Sequence, residues 1–244
     1  MPRMTASTPP RRAGARGQTQ TPAPSPAATA PHGRSHHRAI PGKEQIALLD
    51  VFERLGTDRI TLVRTTEQAD RAREALCAAT AWGFDTESKP TFVQGEASDG
   101  PHIVQLATLD HAWVFQLQDA GCRARVADLL ALHGVTKAGF GLGDDTKRIK
   151  AKLGVEPADV LELNTMFRQR GYRKDMGVKA AVAVLFHRRF LKSKKAATSN
   201  WANERLTEAQ VLYAANDAWA ALRVFHALQG SEAPIADGED KRSL

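Results

Sequence analysis

The stretch "TAWGFDTESKPTF", residues 80–92, decides the fold. A short apolar run ends in Asp85 and Glu87, two acids one residue apart, and Lys89-Pro90 then closes it. In a strand, residues i and i+2 project from the same face of the sheet. Two carboxylates then converge at the end of a buried element, where like charges are costly unless a cation joins them. The spacing alone proves little, because a second such pair, Asp237 and Glu239, stands in a Gly-containing tail. What distinguishes Asp85 and Glu87 is the apolar strand that delivers them.

Before this strand, "EQIALLDVFERLG" (44–56) has the pattern of an amphipathic helix ended by Gly56, "RITLVRT" (59–65) that of a strand, and 66–80 that of a helix. After it, a polar loop (93–101) leads to "HIVQLATL" (102–109) and "HAWVFQL" (111–117), two β-rich runs about Asp110 that predict a hairpin. Helix 121–132, strand 134–140, helix 144–153, a short strand "VLEL" (160–163) and helices 175–187 and 207–229 complete the pattern. Strands in succession, followed by strands alternating with helices, predict an α/β fold: a mixed sheet covered by helices.

Charge is distributed unevenly. Residues 1–43 hold seven Arg and Lys and no acid, which accounts for the whole formal charge of +7; the rest of the chain carries 27 basic and 27 acidic side chains. A nucleic-acid partner must therefore be argued from local patches. The same 43 residues contain 8 of the 12 prolines, so a disordered basic tail rich in Pro, Ala, Ser and Thr is expected there. They lack the apolar segment of a secretory signal, and no run approaches the ~18 apolar residues of a membrane span. Cys77 and Cys122 have no metal-site spacing and suggest a reducing compartment. A cytoplasmic location is expected, with mitochondrial import through an acid-free leader as the alternative. No membrane association is predicted, and no protein partner is predictable from the sequence.

Two further acids stand at element boundaries. In "TKAGFGLGDDTKRI" (136–149), a strand runs into a helix with Asp144 placed as N-cap and Asp145 in the first turn, free to turn toward the strand ends. The glycines do not make a dinucleotide fingerprint, because Asp144 stands where its last glycine belongs. In "LTEAQVLYAANDAWAALRVFHAL" (206–228), Thr207 and Gln210 form a capping box, while Leu212, Ala215, Trp219 and Leu222 make a core stripe. Tyr213 and Asp217 lie at i, i+4 on a neighbouring face. Four carboxylates and a phenol can hold two hard divalent cations, Mg²⁺ or Mn²⁺, about 3.5–4 Å apart, the arrangement that clamps an in-line phosphoryl displacement.

Phe84-Asp85-Thr86-Glu87, Ala138-Gly139-Phe140-Gly141 with Asp145, and Tyr213-Ala214-Ala215-Asn216-Asp217 resemble the three motifs of the DEDD superfamily of 3′-5′ exonucleases, in its tyrosine branch. "SNW" (199–201) and the helix after it extend the similarity to ribonuclease D and, more closely, to the Werner syndrome exonuclease domain. The resemblance spans roughly 58–229. It implies a ribonuclease H-like mixed β-sheet flanked by helices, with the acids gathered at one sheet edge, and an exonuclease domain over 44–230 between the tail and a flexible end (231–244). It also implies that Asp85 bridges two metals, that Glu87 and Asp217 complete one site, and that Asp145 holds the other ion partly through water. Tyr213 would position the attacking water. The implied substrate is DNA or RNA with a free 3′ end, released as nucleoside 5′-monophosphates; a non-catalytic nucleic-acid binder on the same fold is the alternative. Arg188, Arg189, Lys192, Lys194 and Lys195 form a basic run suited to tracking phosphates, with Trp201 or Phe92 available for base stacking.

Overall fold

The computed structural model describes residues 38–91 and 99–230. In chain order the elements are α1 (Lys43–Ala47), β1 (Ile60–Val63), α2 (Thr66–Leu76), β2 (Ala81–Glu87), β3 (Ile103–Ala107), β4 (Ala112–Gln116) and α3 (Ala120–Ala131). There follow β5 (Thr136–Gly139), α4 (Leu142–Leu153), β6 (Val160–Glu162), α5 (Leu163–Gln169), α6 (Val178–Phe186), α7 (Lys194–Ala197) and α8 (Glu208–Gln229). Of the expected tails 1–43 and 231–244, residues 1–37 and 231–244 lie outside the described residues; residues 38–43 are described, and there the Arg38 N–H donates to the Gly171 carbonyl.

The six strands form one mixed sheet in the order β1-β4-β3-β2-β5-β6. Strand β3 runs antiparallel to both neighbours, confirming the hairpin, and the other pairings are parallel. Alternation along β2 sorts its side chains between two apolar layers. Trp82 and Phe84 enter the layer under α2, α3 and α4; Ala81 faces the layer that α8 covers. Asp85 and Glu87 share the face of Ala81, so the acids point toward α8 and Thr86 points away. Burying residues the size of Trp82 and Phe84 contributes about 1.5–3 kcal/mol each, which fixes the register and with it the direction of the acids.

Helix α8 starts at the predicted capping box, with Thr207 accepting from the Gln210 N–H, and it lies across β1 to β5. It carries alanines at 214, 215, 218, 220 and 221, all buried. These small residues let it lie directly on the sheet. A Cβ at Gly83 would collide with the Ala218 carbonyl oxygen and come 3.1 Å from the Leu222 Cβ. The absence of a side chain at Gly83 is what lets the helix carrying Asp217 reach the strand carrying Asp85.

Three expectations require correction. The helix over 44–56 is reduced to α1; beyond it Val51 pairs with Arg189 in a parallel bridge, and Phe52 and Leu55 turn into the core. Tertiary pairing overrides local periodicity there. The Leu55 N–H and carbonyl are bound by the side chain of Asn216, 161 residues away. Asp144 does not cap α4: Gly141 is the N-cap in a left-handed conformation (φ 72°), and the Glu162 carboxylate accepts from the Leu142 N–H at 3.0 Å. Asp144 is exposed and pairs with Lys147. Finally, the acids do not sit on an edge strand; β2 is interior, with β3 and β5 on its two sides.

Candidate active site

Strand β2 and helix α8 bring one oxygen each of Asp85, Glu87 and Asp217 within 4.8 Å of one another. Asp145 stands outside that spacing. It arrives from α4, on the opposite layer, and accepts a 2.5 Å hydrogen bond from the Thr86 hydroxyl. Thr86 therefore joins the fourth acid to the strand that carries the first two. Strand alternation places Thr86 on the far face, so its partner could have been sought there; its identity could not. Glu162, which holds the start of α4 and so orients Asp145, gives no local signal at all.

Lys192 is also drawn in. Its ammonium lies 2.5 Å from Asp217 Oδ2 and 5.1 Å from the centre of the Tyr213 ring. Both oxygens of Asp217 are buried, and the Lys192 ammonium and Tyr213 phenol are among the groups that favour its charge. Burial and the charges of Asp217 and Asp145 hold the Asp85 carboxyl well above the ordinary carboxylate range. Burial and the Asp85 charge push Glu87 up to about 9. Asp217 and Asp145 are raised as well, chiefly by burial. Burial and then the Asp217 charge raise the Tyr213 phenol, which stays a neutral donor. Burial opposes the charge on Lys192, but Asp217 and Tyr213 outweigh it and its pKa rises.

An all-oxygen donor set and carboxyls too crowded to ionise together fit a hard divalent cation. The consequence for stability is measurable. Glu87 ionises near 4.5 in an unfolded chain and near 9 in the fold. Between those values the native state holds a proton that the unfolded state has lost, so stability falls as pH rises. The metal-free midpoint is expected to fall between pH 5 and 8 through this cluster, while the increase produced by a divalent cation grows over the same range. Thermal melts with and without metal check this; a metal-induced increase that does not vary with pH would contradict it.

The remaining predicted residues separate. Arg188 pairs with Asp50 at 2.8 Å, and Arg189 donates to the Ala47 carbonyl at 2.9 Å, so both tie down the N-terminal segment. Lys194 and Lys195 are exposed on α7. Trp201 is fully buried beside Tyr213, with ring centres 5.9 Å apart, so it supports the site from within and has no face to offer a base. Gln210 ties it there by donating to Ser199 Oγ at 2.9 Å. Phe92 lies outside the described residues. The cleft over the acids, of ≈560 Å³, is lined also by Phe140, Asn164, Met176 and Val178.

A mixed sheet with helices on both faces and buried carboxylates at the end of an interior strand defines the class: a protein of ribonuclease H-like fold with an acidic cluster suited to metal. The profile of the 3′-5′ exonuclease family matches residues 60–231, and the chain belongs to that family. It is similar to the bifunctional 3′-5′ exonuclease/ATP-dependent helicase WRN of Mus musculus, 27% identical over 148 residues, 60% of this chain and 11% of that protein. It is also similar to a 3′-5′ exonuclease of Arabidopsis thaliana, 26% identical over 149 residues, 60% of this chain and 52% of the relative. The chain thus spans about half, or far less, of these relatives' length. Among solved structures, RNase D of Trypanosoma brucei superimposes with a TM-score of 0.64 at 20% identity, covering 73% of this chain and 67% of that one.

Proposed function

We propose that the chain hydrolyses the terminal phosphodiester at the 3′ end of DNA or RNA with two Mg²⁺ or Mn²⁺ ions, releasing nucleoside 5′-monophosphates. The observation that carries this reading is the convergence of Asp85, Glu87 and Asp217 within 4.8 Å inside a cleft, in a chain of the 3′-5′ exonuclease family. Asp85, Glu87 and Asp217 would hold metal, and Asp145, fixed by Thr86, would complete the set. Bound divalent ions supply an activated water and neutralise charge on the leaving oxygen.

The chain's own residues do the rest. Tyr213, kept protonated by burial and the Asp217 charge, can donate its hydroxyl hydrogen to the attacking water's oxygen and aim it. Lys192 stays an ammonium and can turn from Asp217 to a phosphate oxygen, where charge develops during displacement. Phe140, half-buried at the cleft, offers an aromatic surface to the terminal base, the role that Trp201 cannot fill.

A single strand labelled at its 5′ end should give a ladder of products shortened from the 3′ end with Mg²⁺ or Mn²⁺. Excess chelator should abolish it, and a ladder that persists under chelation would refute the metal-dependent reading. Binding of the strand without any metal-stimulated turnover would instead favour the non-catalytic alternative.

A further inference from the structure

A second basin, of ≈640 Å³, adjoins the acidic cleft. One wall is the N-terminal segment Pro41–Ala47, and the other is built from 177–180, at the start of α6, and 189–192. Gly177, Val178 and Lys192 line both the cleft and the basin, so the two share a wall. The N-terminal wall lies outside the residues that the exonuclease family profile matches.

That wall is built into the fold. The Arg38 N–H donates to the Gly171 carbonyl, and the Arg38 guanidinium lies 5.9 Å from the Tyr172 ring centre. Further along, the Arg189 N–H donates to the Asp50 carbonyl at 2.7 Å and the Phe52 N–H to the Arg189 carbonyl at 3.0 Å. The Leu55 N–H ends the segment on Asn216 Oδ1 at 2.8 Å. A segment pinned at both ends holds Lys43 and Ile46 at the basin.

The lining has two chemistries. Leu191, 51% exposed, and the half-buried Ile46 present apolar surface over the buried Val178 and Phe190. Lys43 and Lys179 are exposed, Lys192 is partly buried, and among the described residues no carboxylate lines the basin. Apolar surface for bases beside ammonium groups for phosphates is the chemistry of a single-strand nucleic-acid track. We infer that this basin holds the nucleotides on the 5′ side of the scissile bond, with Lys43 on a backbone phosphate. The rest of a strand whose 3′ end enters the cleft must lead out of it, and the basin adjoins the cleft across shared residues and has the matching charge. This inference rests on the exonuclease reading, and it makes the N-terminal segment a determinant of substrate length.

The test is binding, measured by fluorescence anisotropy with chelator present, so that it does not depend on turnover. The full chain and its Lys43→Ala and Lys43→Arg variants are titrated against a labelled thymidine dodecamer and a labelled dinucleotide over a range of salt. Lys43→Ala should weaken dodecamer binding roughly 5–10-fold and reduce the salt slope by about 0.7, the value for one phosphate contact on a single strand. Dinucleotide binding should not change, and Lys43→Arg should restore the dodecamer. Unchanged dodecamer affinity and slope, or an equal loss for both ligands, would overturn the inference and leave the basin to another occupant. Turnover of the same dodecamer with Mg²⁺ reads the exonuclease proposal separately: a chain that binds through Lys43 yet releases no nucleotide keeps this inference and loses that one.

Discussion

Asp85→Asn is expected to lower kcat/KM on single-stranded oligonucleotides by at least about 10³-fold while making the metal-free protein more stable. The loss corresponds to about 4 kcal/mol of transition-state stabilisation, in the range that a metal's charge supplies at a reacting phosphate. The gain has a different origin. Asp85 is crowded by burial and by the charges of Asp217 and Asp145, and the neutral amide, of the same shape, relieves that repulsion without opening a cavity. Glu87 and Asp217, relieved of a like-charged neighbour, should ionise at lower pH. The midpoint increase produced by a divalent cation should shrink with the activity. Kinetics and thermal melts on the same preparation check both halves, and an Asp85→Asn protein that is inactive because it is unfolded would contradict the account.

Gly83→Ala should be nearly as damaging by an opposite route. The added methyl meets the Ala218 carbonyl oxygen and the Leu222 side chain, and a backbone oxygen inside a helix cannot rotate away. Overpacking of this kind costs about 3 kcal/mol, or a fall of roughly 6–12 °C in the midpoint for a domain of this size. What relaxes is the spacing between α8 and β2, and with it the distance from Asp217 to Asp85 and Glu87. A displacement of 1 Å at a reacting centre costs about 10²-fold in rate. Activity measured well below the variant's midpoint, where circular dichroism shows an intact fold, should therefore still be reduced about 100-fold. Full activity in that folded window would show that the close approach of helix and strand is not what sets the acid spacing.

The sequence stretches that carry both signals, alternation and chemistry, are also the ones that the structure reproduces. Strand β2 was legible because Trp82 and Phe84 must face one layer, which forces Asp85 and Glu87 onto the other. Helix α8 was legible because Thr207 and Gln210 mark its start and because Tyr213 and Asp217 fall one turn apart. Illegible were the contacts that depend on distant chain. Phe52 and Leu55 leave their helical pattern for pairing with Arg189 and Asn216. Glu162 caps α4 from 20 residues away, which shifts the helix start and frees Asp144. The basic run read as one phosphate track divides into Arg188 and Arg189, spent on the N-terminal segment, and Lys192, placed on Asp217 and Tyr213. Composition shows how many charges a stretch carries; only packing decides which of them have carboxylate or carbonyl partners. Trp201 shows the same limit, since a tryptophan near a site can be platform or core, and here the Gln210 tether and full burial make it core.

In the proposed reaction, water activated at the acid cluster attacks the 3′-terminal phosphodiester. Digestion of a defined oligonucleotide in H₂¹⁸O with Mn²⁺, followed by mass spectrometry of the released mononucleotide, tests it most directly. Nucleoside 5′-monophosphates carrying one ¹⁸O in the phosphate are expected, appearing in order from the 3′ end and absent with Asp85→Asn. Nucleoside 3′-phosphates, internal fragments, or labelled products that persist with Asp85→Asn would contradict the proposed reaction.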